Sequence, residues 1–201
     1  MTQPAEADAQ PQGTFWLLDL NQPLPVGLIP RVPTTFMRVG PELAQELAQA
    51  MQLDDPSVVL QRFARGCHCY AGRIEGKLAT YGWVTFDEED IGELGLKFCL
   101  KAGEAYIWDC ATLPAYRGLR LYPALLAHIL GELHRQGWQR AWIGADTDNL
   151  PSQSGMVQVG FQPVIDVFIT RVSTMPKFWV RGRPGVPEQL VTDVRDALFP
   201  K

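Results

Sequence analysis

The stretch Tyr106-Ile107-Trp108-Asp109-Cys110-Ala111-Thr112-Leu113-Pro114-Ala115-Tyr116-Arg117-Gly118-Leu119-Arg120-Leu121-Tyr122-Pro123-Ala124-Leu125-Leu126 changes character halfway along. Up to Thr112 it reads as a strand. Pro114 breaks that strand, and Arg117, Gly118 and Arg120 mark a tight turn. From Leu121 apolar residues recur with a helical period, and Pro123 suits the first turn of a helix. The first backbone N–H groups of such a helix have no internal partner and lie at its positive end. Arg117 and Arg120 add two fixed charges able to grip phosphate oxygens. The segment is therefore a phosphate cradle in prospect. A solvated loop with surface arginines is the other reading. The Gly-Lys-Ser/Thr ending of a nucleotide P-loop is absent, as are the three glycines of a dinucleotide fingerprint.

Downstream, Leu121, Leu125, Ile129 and Leu133, with Leu126 and Leu130 beside them, predict a helix that Gly137 ends. A strand over 138–144, a short helix over 150–159 and a strand over 161–172 follow. Residues 176–187 read as loop-rich, and 187–198 as a closing helix. Upstream, 67–73 and 77–86 flank Glu75-Gly76 as a hairpin, and 94–100 with 105–112 read as a second hairpin around 101–104. Pro41-Glu42 opens one helix, with Leu43, Leu47 and Met51 on one face. Asp55-Pro56 opens another, with Val59, Leu60 and Phe63 inward and Gly66 as its stop. Thr35 to Val39 reads as a short strand. Hairpins followed by a strand–helix–strand unit predict an α/β (mixed α+β) single domain: a central, mixed, twisted sheet with helices on both faces.

The chain has 201 residues, 46% of them hydrophobic and 20% charged, a globular composition. Lys and Arg number 18 against 22 Asp and Glu, a net charge of −4, which disfavours a general nucleic-acid binder and a polybasic membrane anchor. No apolar run approaches the ~18 residues that span a bilayer. Residues 1–13 are polar, without the basic start and apolar centre of a secretory signal, and read as a flexible tail. Residues 14–34 are apolar but broken by Pro23, Pro25, Pro30 and Pro33, which favours an extended N-terminal extension packed on the domain. Cys67, Cys69, Cys99 and Cys110 lie in strand-like segments and read as reduced thiols in a cytoplasmic protein.

Other signals are weaker. In a strand, Cys67 and Cys69 share a face while His68 points away, so the three cannot chelate together, and no metal is expected. Trp83, Trp108, Trp138 and Trp142 read as core; Trp83 and Trp108 are also placed to line a pocket. Phe178-Trp179-Val180 reads as the cover of a sheet edge or the contact of a homodimer. No Ser-His-Asp spacing with a nucleophile elbow is present.

The run Pro114-x-Tyr116-Arg117-Gly118-x-x-Leu121-Tyr122-Pro123-x-Leu125-Leu126 resembles the acyl-CoA-binding motif of the GCN5-related N-acetyltransferase (GNAT) superfamily, Arg/Gln-x-x-Gly-x-Gly/Ala. Arg117 matches its first position. Arg120 stands at the first glycine and Tyr122 at the second small residue. Asn149, Ser152, Gly160 and Phe161 hold the offsets of a second signature of that family. The resemblance covers 35–172, leaving 173–201 as a C-terminal extension with a short helix.

The resemblance implies an N-acetyltransferase that moves an acetyl group from acetyl-CoA directly to a primary amine of a small molecule, peptide or protein. It implies that Ala111 and Thr112 pair with the pantetheine arm like an added strand. Amides of Leu119, Arg120, Leu121 and Tyr122, with Gly118 and Arg117, hold the pyrophosphate, and Asn149 and Ser152 flank the arm near the thioester. A backbone N–H near Ala111 polarises the thioester carbonyl. Asp109 sits where some polyamine-acetylating members carry a substrate-facing acid, and Glu104 where histone-type members carry their base. Strand alternation lets at most one of them face the acceptor. The family's usual proton donor to the leaving thiolate is a tyrosine seven residues after the asparagine; here that position is Met156, which leaves Tyr122, Ser154 or water. A non-catalytic acyl-CoA-binding module on the same fold is the alternative.

Overall fold

Ten strands and five α-helices follow one another in the computed structural model, which describes residues 10–91, 96–170 and 177–199. They are β1 (Gly13–Asp19), β2 (Thr35–Val39), α1 (Ala44–Ala50), α2 (Ser57–Ala64), β3 (His68–Ile74), β4 (Lys77–Thr85), β5 (Glu88–Ile91), β6 (Leu96–Cys99), β7 (Glu104–Thr112), α3 (Leu121–Arg135), β8 (Arg140–Asp146), α4 (Leu150–Gln158), β9 (Gln162–Thr170), β10 (Lys177–Gly182) and α5 (Glu188–Leu198). Eight strands form one sheet in the order β10-β9-β1-β8-β7-β4-β3-β2. Only β7 and β8 pair in parallel; the other neighbours are antiparallel.

The alternation of strand side chains sorts the core between two faces. Ile107, Ile143, Val84 and Tyr70 point to one face, where Leu125, Leu126, Ile129 and Leu133 of α3 and Met156 of α4 cover them. Trp83, Cys69 and Ala71 point to the other, under Leu47 of α1 and Val59 of α2. Tyr106 and Trp142 share that second face further along, with Phe15, Phe98 and, from α5, Val194 and Leu198. Burying side chains of this size contributes about 1.5–3 kcal/mol each, which fixes the sheet as the platform for its loops.

Four expectations change. Of the strand expected over 94–100, residues 94 and 95 lie outside the described residues, and β6 does not pair with β7. It forms a separate two-stranded ribbon with β5, with Glu88 opposite Cys99 and Ile91 opposite Leu96. Residues 14–34 are more than a packed extension: β1 is an interior strand, antiparallel to both β8 and β9. The expected tail ends earlier than residue 13, since the Gln12 amide donates to the Val167 carbonyl and the Thr147 hydroxyl donates to the Pro11 carbonyl; residues 1–9 lie outside the described residues. The loop expected over 176–187 contains β10, which is the sheet's edge strand, so Phe178 to Val180 form that edge themselves.

Candidate active site

The site begins where two strands separate. Pairing of β7 with β8 runs only from Glu104 opposite Arg140 to Ile107 opposite Ile143. Both strands continue, to Thr112 and to Asp146, without pairing to each other. The backbone groups of β7 that face the gap are thus available to an added strand. On its other side β7 carries a bulge: Tyr81 faces Ala111 but Trp83 faces Trp108, so Asp109 and Cys110 together oppose Gly82. Asp109 is left-handed there, with φ of 42°. A Cβ on Gly82 would lie 2.7 Å from the Cys110 sulfur, so only glycine leaves room for that side chain. The bulge re-aims the end of β7.

Two cavities meet at the gap. On the α3 and α4 face, a cavity of about 540 Å³ is lined by Ala111, Thr112, Arg117, Arg120, Tyr122 and Pro151, among others. On the opposite face, a cleft of about 820 Å³ lies between α2, β5 and the strand ends, with Arg62, Arg65, Glu89, Trp108 and Asp109 in its walls. Both are lined by Cys110, Tyr122, Asn149 and Ser152.

The turn before α3 is built from two left-handed residues, Gly118 (φ 78°) and Arg120 (φ 60°), the latter at the helix N-cap without a side-chain cap. Among the described residues, the amides of Gly118, Leu119, Arg120, Leu121 and Tyr122 donate no hydrogen bond. They lie at the positive end of a 15-residue helix, the geometry of an anion site. The Arg117 Nε lies 3.4 Å from the Thr112 carbonyl and Arg120 Nη2 3.5 Å from Gln158 Oε1, long contacts that leave both cations free for a ligand.

At the junction, the Tyr122 hydroxyl lies 2.9 Å from the Ser152 hydroxyl. Asn149 Oδ1 accepts from the Ser152 amide at 3.2 Å and so caps α4. Burial pushes the Tyr122 phenol well above its ordinary value, so it keeps its proton across the physiological range. Met156 is fully buried in the core under α4. The thiol of Cys110, which lines both cavities, is also pushed up by burial and keeps its proton.

The two acids of β7 part company. Asp109 lines the 820 Å³ cleft, where its Oδ2 takes a bond from Arg62 Nη1 at 2.5 Å and, among the described residues, Oδ1 accepts none. Arg62 is held over the rings of Trp108 (4.4 Å) and Trp83 (5.2 Å). Glu104 is 6% exposed at the far end of β7, accepts from the Lys101 amide and pairs with Arg140; it does not line the cleft. Residues that sequence reasoning missed complete the wall: Arg62 from α2, Arg65 at the C-cap of that helix, and Glu89 from β5, whose two oxygens take bonds from Arg65 Nη2 at 3.0 and 2.7 Å. Their spacing carries a faint signal, since Arg62 and Arg65 are three apart on one helix face. A further missed residue, Arg31, contacts the turn from behind.

The sheet thus splits between its two parallel strands, with a turn of unbonded amides at the mouth of the split. Residues 37–161 match the model of the Acetyltransferase (GNAT) family, and the chain belongs to that family. No curated protein is a significant sequence match. Among solved structures, it superposes on a GNAT-family acetyltransferase from Colwellia psychrerythraea (TM-score 0.53, 12% identity, 77% of this chain and 53% of that one). It also superposes on the glucosamine N-acetyltransferase region of a fungal multi-domain β-N-acetylglucosaminidase (TM-score 0.57, 13% identity, 79% of this chain and 21% of that one). A third match is a GNAT-family acetyltransferase from Novosphingobium aromaticivorans (TM-score 0.50, 15% identity, 77% of this chain and 61% of that one). The chain thus spans about half of the Colwellia protein, and at these identities the likeness is one of fold. No helix among the described residues is long and apolar enough to cross a membrane.

Proposed function

We propose that the chain transfers an acetyl group from acetyl-CoA to a primary amine in a ternary complex. The observation that carries this reading is the run of unbonded amides from Gly118 to Tyr122, opening with Arg117 and Arg120 onto a cavity that joins a second cleft at the β7–β8 gap. The diphosphate of coenzyme A takes those amides and arginines, and its pantetheine arm pairs with Ala111 and Thr112 along the free side of β7. The thioester then lies beside Cys110, Tyr122, Asn149 and Ser152, where the cavities meet. The amine enters from the α2 side. An alkylammonium ion holds its proton up to about pH 10.4, so a base must remove it. Asp109 Oδ1, free and on the acceptor side, takes that role directly or through water, while Arg62 fixes the carboxylate in place. Attack gives a tetrahedral oxyanion held by a β7 amide near Ala111. Collapse expels the coenzyme A thiolate, which takes the Tyr122 hydroxyl proton in place of one from a group at Met156, and the proton that the nitrogen sheds as it becomes an amide returns through water to Tyr122.

A second reading, an acyl-CoA-binding module with little or no turnover, is favoured by two observations: Met156 is a core residue, and Asp109 is already paired with Arg62. Release of free thiol from acetyl-CoA over a panel of amines separates the two. Amine-dependent release above hydrolysis is the expected result; background rates with every amine favour the binder.

A further inference from the structure

The segment between β1 and β2 returns to the phosphate turn. The Arg31 amide donates to the Leu119 carbonyl at 3.0 Å, and Arg31 Nη1 donates to the Gly118 carbonyl at 3.0 Å. A trans peptide unit is planar, and its C=O and N–H point in opposite directions. The Gly118 carbonyl shares a peptide plane with the Leu119 N–H, and the Leu119 carbonyl shares one with the Arg120 N–H. With both carbonyls turned toward Arg31, both N–H groups point away from it. Arg31 does not line the cavity, whereas Gly118, Arg120, Leu121 and Tyr122 do. The turn needs such a brace: two of its residues are left-handed, and one of these, Arg120, carries a side chain that disfavours this conformation.

We infer that Arg31 is a positioning residue, a latch on the back of the turn that aims the amides of Leu119 and Arg120 at the diphosphate. The inference rests on the reading of the turn as the coenzyme A site. It makes the segment ahead of β2 part of the coenzyme site without contact to the ligand. Arg31 is exposed, so its replacement leaves the core untouched.

The test is calorimetric titration of the full chain with coenzyme A and with S-acetyl-pantetheine, which lacks the diphosphate. Arg31→Ala should weaken coenzyme A binding roughly five- to tenfold, the upper scale of one ordinary intramolecular hydrogen bond, and leave S-acetyl-pantetheine unchanged. Arg31→Gln, a neutral donor, should restore most of the loss, which a role through charge alone would not allow. In the ligand-free protein, Arg31→Ala should also shift the Leu119 and Arg120 amide resonances. Unchanged coenzyme A affinity in Arg31→Ala, equal losses for both ligands, or a Gln variant as weak as Ala overturns the latch. If the wild-type chain binds no coenzyme A, the functional reading fails, and unmoved amide resonances in Arg31→Ala would then overturn the latch independently.

Discussion

Replacing Gly155 by alanine tests the junction of the two cavities through packing alone. A Cβ at residue 155 would lie 2.5 Å from Cδ1 and 2.7 Å from Cε1 of Tyr122, against an ordinary contact of about 3.4 Å or more. The neighbour is a half-buried ring set between α3 and α4, so it must recede by roughly 1 Å or α4 must move. Overpacking of this kind costs about 1–3 kcal/mol. At about 2–4 °C per kcal/mol for a chain of this size, Tm should fall by roughly 2–12 °C. The same displacement pulls the Tyr122 hydroxyl from Ser152, now at 2.9 Å. If that hydroxyl delivers the proton to the leaving thiolate, Tyr122→Phe should lower kcat by about tenfold or more, with little change in Tm. Gly155→Ala should then lower kcat similarly, and the double variant should be no slower than Gly155→Ala, because both changes remove one contribution. Steady-state thiol release and thermal unfolding read these out. A Gly155→Ala protein of unchanged Tm, or a double variant slowed by the product of the single effects, refutes the reasoning.

Arg120→Gly relieves a left-handed backbone and removes a cation: unfolding stability should rise by up to about 1 kcal/mol in denaturant titration, while coenzyme A binds several-fold more weakly. Asp109→Asn should lower turnover with coenzyme A affinity unchanged by calorimetry; collapse of that affinity would overturn the assigned role. His68, half buried and edge-on to Phe86 at 4.6 Å, is held neutral by burial, with its pKa lowered to about 4 from 6.5. The unfolded chain therefore binds the proton more readily, so this contribution is complete above pH 6.5 and lost as pH falls toward 4. His68→Gln should flatten that slope by about 1–2 kcal/mol after discount for partial exposure, read as urea midpoints at pH 7 and pH 4.5.

What was legible in the sequence was local. The α3 stripe and the Arg117 to Tyr122 turn are encoded within about 20 consecutive residues, and strand alternation places Trp83 and Val84 on opposite faces. What escaped was pairing across distance. The bulge at Asp109 exists only because β4 brings Gly82 opposite it. Adjacency in sequence suggests that β6 pairs with β7, yet β6 turns back on β5. Proline content hides that β1 fills the slot between β8 and β9. Arg31 and Arg62 lie 87 and 47 residues from the groups they bind, Gly118 and Asp109, so no local pattern marks them. Alternation alone does not separate Asp109 from Glu104; the split in the sheet does, with Glu104 in the paired half of β7 and Asp109 beyond it, in the wall of the cleft.

The account stands on a turn whose main-chain nitrogens receive a diphosphate. Amide NMR of the labelled wild-type chain during titration with coenzyme A measures this directly. Saturable shifts should concentrate at Leu119, Arg120, Leu121 and Tyr122, with smaller ones at Ala111 and Thr112. A titration to millimolar coenzyme A that leaves these amides in place, whatever moves elsewhere, contradicts it.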